Sequence, residues 1–220
     1  MTHVLQPRES TSSGSLADRA YYSLRDMIVS LELPPGAVLH EAKLMEQLGV
    51  GRTPIREAVR MLAQAKLVEV YPRRGVFVTS VDIGDLASLA EAREVLEGYA
   101  ARLAAERATE DDQRELSALI EECGRKGDLD RRGLIDLDRR IHQQVYHCTH
   151  NRFLEATLDE YYVLALRIWF LALERVERLD EAVQEHRELL GAIRDQDGER
   201  AEQAMRRHVQ SFEQAIRRVL

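Results

Sequence analysis

The chain has 220 residues, of which 45% are hydrophobic and 31% charged, a balance that excludes a disordered chain and allows one large core or two small ones. No apolar run reaches the roughly 20 residues a membrane helix needs; the longest, Tyr161 to Leu173, is interrupted by Arg167. The net charge of −7 argues against nucleic acid as a whole, but residues 1–80 carry 10 Lys and Arg against 8 Asp and Glu, while residues 81–220 carry 21 against 30.

Residues 1–14 are polar, with no apolar signal core, and read as a flexible tail of a cytoplasmic protein. Ser15 and Asp18 have capping-box spacing and predict a helix starting near Leu16. Ala17, Ala20, Tyr21, Leu24, Ile28 and Leu31 then give it one apolar face, and Leu33-Pro34-Pro35-Gly36 stops it. A second helix is expected from about Glu41 to Leu48, ending at Gly49.

Gly49-Val50-Gly51 is a short glycine-rich turn of the kind that joins the helices of a helix-turn-helix. Thr53 is expected to cap a third helix, with Pro54 at its first position. Ile55, Ala58, Val59, Leu62 and Ala63 cluster on one side, while Arg56 and Arg60 fall roughly 100–140° away, on a solvent face shared with Thr53. Arginines on the free face near a helix N-terminus suit the major groove, where they pair with guanine or grip phosphate.

Leu67–Tyr71 and Val76–Thr79 favour strands around the turn Pro72-Arg73-Arg74-Gly75. A hairpin with a basic tip beside a helix-turn-helix is a wing, able to lay Arg73 and Arg74 along the backbone or into the minor groove. Between Gly49 and Ser80, six basic residues face two acidic ones, the charge footprint of a DNA reader.

The run Gly51-Arg52-Thr53-Pro54-Ile55-Arg56-Glu57-Ala58-Val59-Arg60 closely resembles the signature of GntR-type regulators. Leu33-Pro34-Pro35-Gly36 and Leu39-His40-Glu41 before it agree, as does Arg74-Gly75-Val76-Phe77-Val78 after it. The acidic remainder resembles the FCD ligand-binding domain of the FadR subfamily. The resemblance covers about residues 16–219. It implies that Arg52, Thr53, Pro54 and Arg56 meet bases and phosphates and that Gly75 lies at the wing tip. Gly51, Ala42 and Lys66 depart from the family's common serine, arginine and glycine.

From Asp82 onward the periodicity is helical throughout. Six helices are expected, at about 83–106, 110–124, 130–148, 151–175, 179–195 and 197–219, a number that points to the VanR-like branch. The predicted fold is therefore mostly α: a winged helix-turn-helix of three helices plus a β-hairpin (residues 15–80), then an all-α six-helix antiparallel bundle (81–220).

Asp138 and His142 are four apart on one helix face, with His186 and His208 on the last two helices. Three imidazoles and one carboxylate form a ligand set suited to a divalent transition metal. Spacing alone favours reading them as ordinary hydrogen-bonded side chains; the FCD resemblance implies a joint site, for zinc first, with nickel or manganese as alternatives. His147 falls about 140° around the helix from His142, and His150 at the helix end, so neither belongs to the set.

Arg93 matches the arginine that FCD regulators direct into the effector pocket, where a small organic acid would supply its anionic partner; the plainer reading is an ion pair with Glu97 four residues on. Arg167, near Trp169, is a second effector candidate or an interface residue. Cys123 and Cys148, without CxxC spacing, read as ordinary helix residues. The resulting expectation is a homodimeric regulator of double-stranded operator DNA controlled by an organic-acid effector on a bound metal. The rivals are a helical half that serves dimerisation only, and a zinc hydrolase.

Overall fold

The computed structural model describes residues 15–125, 129–172 and 179–219; the tail expected over 1–14 and the predicted end of a helix at 175 lie outside them. The chain divides into two compact units after Asp82.

In the first unit, α1 (Leu16–Val29) begins at the expected capping box: Asp18 N donates to Ser15 Oγ at 3.1 Å, and Ser15 N to Asp18 Oδ2 at 2.9 Å. α2 (Glu41–Leu48) ends on Gly49, which has φ 65°. α3 spans Arg52–Gln64 and corrects the reading of its start, since Gly51 is the N-cap and Pro54 the third helical residue rather than the first. The first four N–H groups of a helix lack intrahelical acceptors, so the missing N–H of proline at the third position sacrifices no hydrogen bond. Ala20, Leu24, Ile28, Ile55, Ala58 and Leu62 are almost fully buried between α1 and α3. At about 1.5–3 kcal/mol for each large side chain, this seam holds the helical head together.

α3 closes with a Schellman pattern: Lys66 N donates to Ala63 O at 3.1 Å and Leu67 N to Leu62 O at 2.9 Å. The residue forced into the left-handed region there is Lys66, with φ 56°. β1 (Val68–Tyr71) and β2 (Gly75–Val78) then pair antiparallel, with Val68 opposite Val78 and Tyr71 opposite Gly75. A third strip, not anticipated from the sequence, lies on β2: Leu39 N donates to Val76 O and Val78 N to Ala37 O, both at 2.9 Å. Proline and glycine just before it hid the strip, because it contributes only a single isolated bridge, Val38–Phe77.

The second unit opens with a 3-10 turn, Ile83–Asp85, followed by α4 (Leu86–Arg107), α5 (Glu110–Gly124), α6 (Arg131–Cys148), α7 (Arg152–Ala172), α8 (Leu179–Arg194) and α9 (Gly198–Arg217). Six α-helices among the described residues match the number expected. Thr109 and Asp112 form a capping box at the start of α5, and Asp130 and Asp197 cap α6 and α9. α4 lies against α6, α7, α8 and α9. Its stretch Ala100, Ala101, Leu103, Ala104 and Ala105 is buried, and small side chains there let neighbouring helices approach closely. That central place puts residues of α4 beside the inward faces of α6 and α9.

Candidate DNA-reading face and metal centre

In the first unit, Arg52, Thr53, Arg56 and Arg60 are all exposed on α3, with Pro54 half-buried, while Ile55, Ala58, Val59 and Leu62 face the core. The amphipathic split read from the sequence is thus present in three dimensions. Arg56 is engaged: its Nε lies 3.1 Å from Glu41 Oε1 and 3.3 Å from Oε2. Arg73, Arg74 and Gly75 are exposed at the hairpin tip, where Arg73 has φ 63° and Gly75 φ 115°. The Arg74 guanidinium lies 5.8 Å from the Tyr71 ring centre, and Tyr71 packs edge-on against Phe77, which stiffens the wing base.

In the second unit, four predicted ligands from three helices meet. Asp138 and His142 come from α6, His186 from α8 and His208 from α9, and one ligand atom of each lies within 4.8 Å of the others; all four side chains are buried. His142 Nε2 is 3.2 Å from His208 Nε2 and 3.5 Å from His186 Nε2. Asp138 Oδ1 is 3.4, 3.9 and 4.0 Å from the Nε2 atoms of His186, His142 and His208 respectively.

The outer contacts decide which way these rings present their protons. His208 Nδ1 is hydrogen-bonded to Glu185 Oε2 at 2.9 Å. His142 Nδ1 lies 2.9 Å from Glu97 Oε2, somewhat off the line of an ideal hydrogen bond, and 3.2 Å from the Tyr146 hydroxyl. A carboxylate hydrogen-bonded to Nδ1 keeps the proton there, so the Nε2 lone pair of His208 points inward, and His142 Nε2 faces the same space. Tyr162 donates its hydroxyl to Asp138 Oδ2 at 2.5 Å, leaving Oδ1 directed at the imidazoles. Lone pairs converging in a buried space repel unless a cation sits among them. A tetrahedral ion with bonds of roughly 2.0–2.2 Å would hold its donors about 3.4 Å apart, close to the shorter spacings here. The donor set therefore fits a divalent transition metal.

Arg93 is buried, and its Nε donates to Glu97 Oε1 at 2.5 Å, so the plainer expectation of an i,i+4 pair is met, though inside the protein rather than on its surface. Burial of Glu97 works to raise its pKa, but Arg93 and then His142 outweigh that and hold it down at about 2. Burial likewise disfavours the Arg93 cation, and Glu97 more than restores it. The Arg93 guanidinium lies 5.8 Å from the Tyr162 ring centre and 5.7 Å from that of Phe212, so it borders the Asp–His cluster from α4. Arg167 is buried on α7, five residues beyond Tyr162 and so about 140° around the helix from it; burial lowers its pKa.

Sequence reasoning missed Tyr146, Tyr162 and Glu185 and gave Glu97 only half of its role. Tyr146 carried a signal, four residues after His142 on the same face; Tyr162 and Glu185 required the packing of α7 and α9 to be known. The two excluded histidines do lie elsewhere. His150 Nε2 is 2.8 Å from Asp112 Oδ2, and His147 Nδ1 is 3.5 Å from Glu155 Oε1. Cys123 and Cys148 are free and buried, and burial pushes their thiols up to about 11 and about 12, which keeps them unreactive.

No helix among the described residues is long and apolar enough to cross a membrane. Comparison with known proteins gives two family matches: the gntR family of bacterial regulatory proteins over residues 16–78, and the FCD domain over residues 88–211. An HTH-type transcriptional regulator in an unstable DNA locus of Streptomyces ambofaciens is 34% identical over 202 residues, covering 90% of this chain and 84% of that protein. The galactonate operon transcriptional repressor of Escherichia coli is 31% identical over 212 residues, covering 85% of this chain and 90% of the relative. Among solved structures, E. coli McbR/YncC superposes with a TM-score of 0.83 at 25% identity, covering 94% of this chain and 99% of that one. A DNA-reading head followed by a helical sensor, matched along most of its length, places this chain in the GntR family of transcriptional regulators, with an FCD effector-binding domain as its second unit and not an enzyme.

Proposed function

We propose that this regulator is a homodimeric repressor whose hold on a two-fold related operator is set by a small organic acid bound at a metal centre in residues 81–220. Arg52, Thr53, Pro54, Arg56 and Arg60 of α3 read the major groove, and Arg73, Arg74 and Gly75 of the wing follow the backbone or minor groove, all within a head spanning residues 15–80. Asp138, His142, His186 and His208 hold the ion, for which zinc is the first choice and nickel or manganese are alternatives. When bound, the ion supplies a positive centre for a carboxylate, and this chain's own Arg93 borders that position. Arg167 is the second effector candidate. Six helices favour the VanR-like branch, and a cytoplasmic location suits the work.

The observation that carries the sensor reading is the convergence of three imidazole Nε2 atoms on Asp138 Oδ1, with His208 oriented by Glu185 and a second carboxylate, Glu97, beside His142. An effector shifts DNA affinity only as far as it binds the competent and incompetent arrangements differently. The test compares metal content of the full chain with that of a His142/His186/His208 triple alanine variant, alongside operator binding with and without chelator. Stoichiometric metal in the wild type alone supports the reading. Equal metal content in both overturns it, and leaves the second unit as a dimerisation module.

A further inference from the structure

Glu41 is the first residue of α2, and Arg56 is the fifth of α3, on the exposed face of that helix. Their ion pair, at 3.1 Å, joins the two helices of the helix-turn-helix on the solvent side. A carboxylate at that place is costly for any protein that approaches DNA, because it repels every duplex regardless of sequence. As an exposed pair it adds little to stability, about 0–1 kcal/mol. What it does contribute is direction. Both contacts run through Arg56 Nε, so the side edge of the guanidinium is taken, and its two terminal nitrogens remain free as a forward-facing fork. Two parallel N–H donors are what the O6 and N7 atoms of guanine accept.

We infer that Glu41 is a positioning residue for sequence readout: it holds Arg56 end-on toward a guanine and, by its charge, discourages the same arginine from settling on phosphates. This rests on the reading of α3 as the groove helix. Without Glu41, Arg56 would sweep its full rotamer range and grip the nearest phosphate, so binding would become less selective rather than simply weaker.

The test uses the full chain, a duplex enriched by the wild type from a randomised pool, a scrambled duplex of equal length, and single-base variants of the enriched one, all at one fixed salt concentration. Glu41→Ala is expected to lower the enriched-to-scrambled affinity ratio by about tenfold, with scrambled binding equal or tighter. The loss should concentrate at one guanine in each half-site. Glu41→Gln, which keeps volume and an acceptor, should fall between. In an Arg56→Ala background, Glu41→Ala should leave the ratio unchanged. A Glu41→Ala effect equal on both duplexes, or one that persists without Arg56, overturns the inference while leaving the groove assignment intact. Unchanged operator binding by Arg56→Ala would instead overturn the groove assignment, and this inference with it.

Discussion

Replacing Glu97 by glutamine removes a charge from the centre of the second unit without opening a cavity, since the two side chains are nearly isosteric. Glu97 is fully buried, with Arg93 Nε 2.5 Å away on one oxygen and His142 Nδ1 2.9 Å away on the other. Two routes give the same order of cost. Leaving the Arg93 cation buried without its partner costs about 3–5 kcal/mol in comparable sites. A carboxyl held at about 2 against an ordinary 4.5 corresponds to about 3 kcal/mol near neutrality. The depressed value also fixes the sign of the pH dependence. The contribution is full above the unfolded carboxyl's pKa and fades as pH falls toward 2, so by pH 3 about half or less should remain. Trp169, the only tryptophan in the chain, lies on α7, so its fluorescence during urea titration with chelator present follows the second unit alone. Glu97→Gln should lose about 3 kcal/mol at pH 7, and its gap to wild type should narrow at pH 3. A gap below about 1 kcal/mol at neutral pH, or one that does not shrink in acid, would show that the Arg93–Glu97–His142 chain is not an internal ionic link.

Lys66→Gly should stabilise the first unit by about 0.5–1 kcal/mol, because the left-handed conformation at φ 56° costs a lysine about 1–2 kcal/mol and glycine returns part of that as unfolded-state entropy; urea melts followed by far-UV circular dichroism would measure it. Tyr162→Phe removes only the hydroxyl on Asp138 Oδ2, so metal affinity by competition with a chelating dye should fall roughly 10–100-fold with little change in fold. Stripping the metal should lower the thermal midpoint of the second unit, by an amount that grows with the metal concentration used for the loaded sample; equal midpoints would contradict a site inside the core.

The parts of this molecule that were legible in its sequence share a cause. Where local chemistry determines local structure, as with the Ser15–Asp18 capping box, the αL glycine at Gly49 and the apolar stripe of α3, the reading needs only residues within a few positions of one another. The start of α3 was misplaced by two residues because Gly51, Thr53 and Pro54 each fit a helix N-terminus, and only the path of the backbone chooses among them. The candidate metal ligands are legible as types before they are legible as a cluster: Asp138 and His142 announce a shared face, but nothing local relates them to His186 or His208.

What stayed illegible is the set of residues that gives the ligands their orientation. Glu185 adjoins a predicted ligand in sequence yet serves a different one, His208 on the following helix, at 2.9 Å. Such a cross-helix assignment follows from the angle at which α8 and α9 pack, a property no periodicity encodes. Glu97 shows the same thing from the other side. Its spacing to Arg93 suggests a surface ion pair of small worth, whereas its burial turns the same spacing into a link from Arg93 to His142. Any occupant that draws on the Arg93 cation therefore perturbs Glu97, and through it His142. An anion placed against Arg93 would therefore be coupled to an ion held among Asp138, His142, His186 and His208, each changing the proton and charge balance of the other.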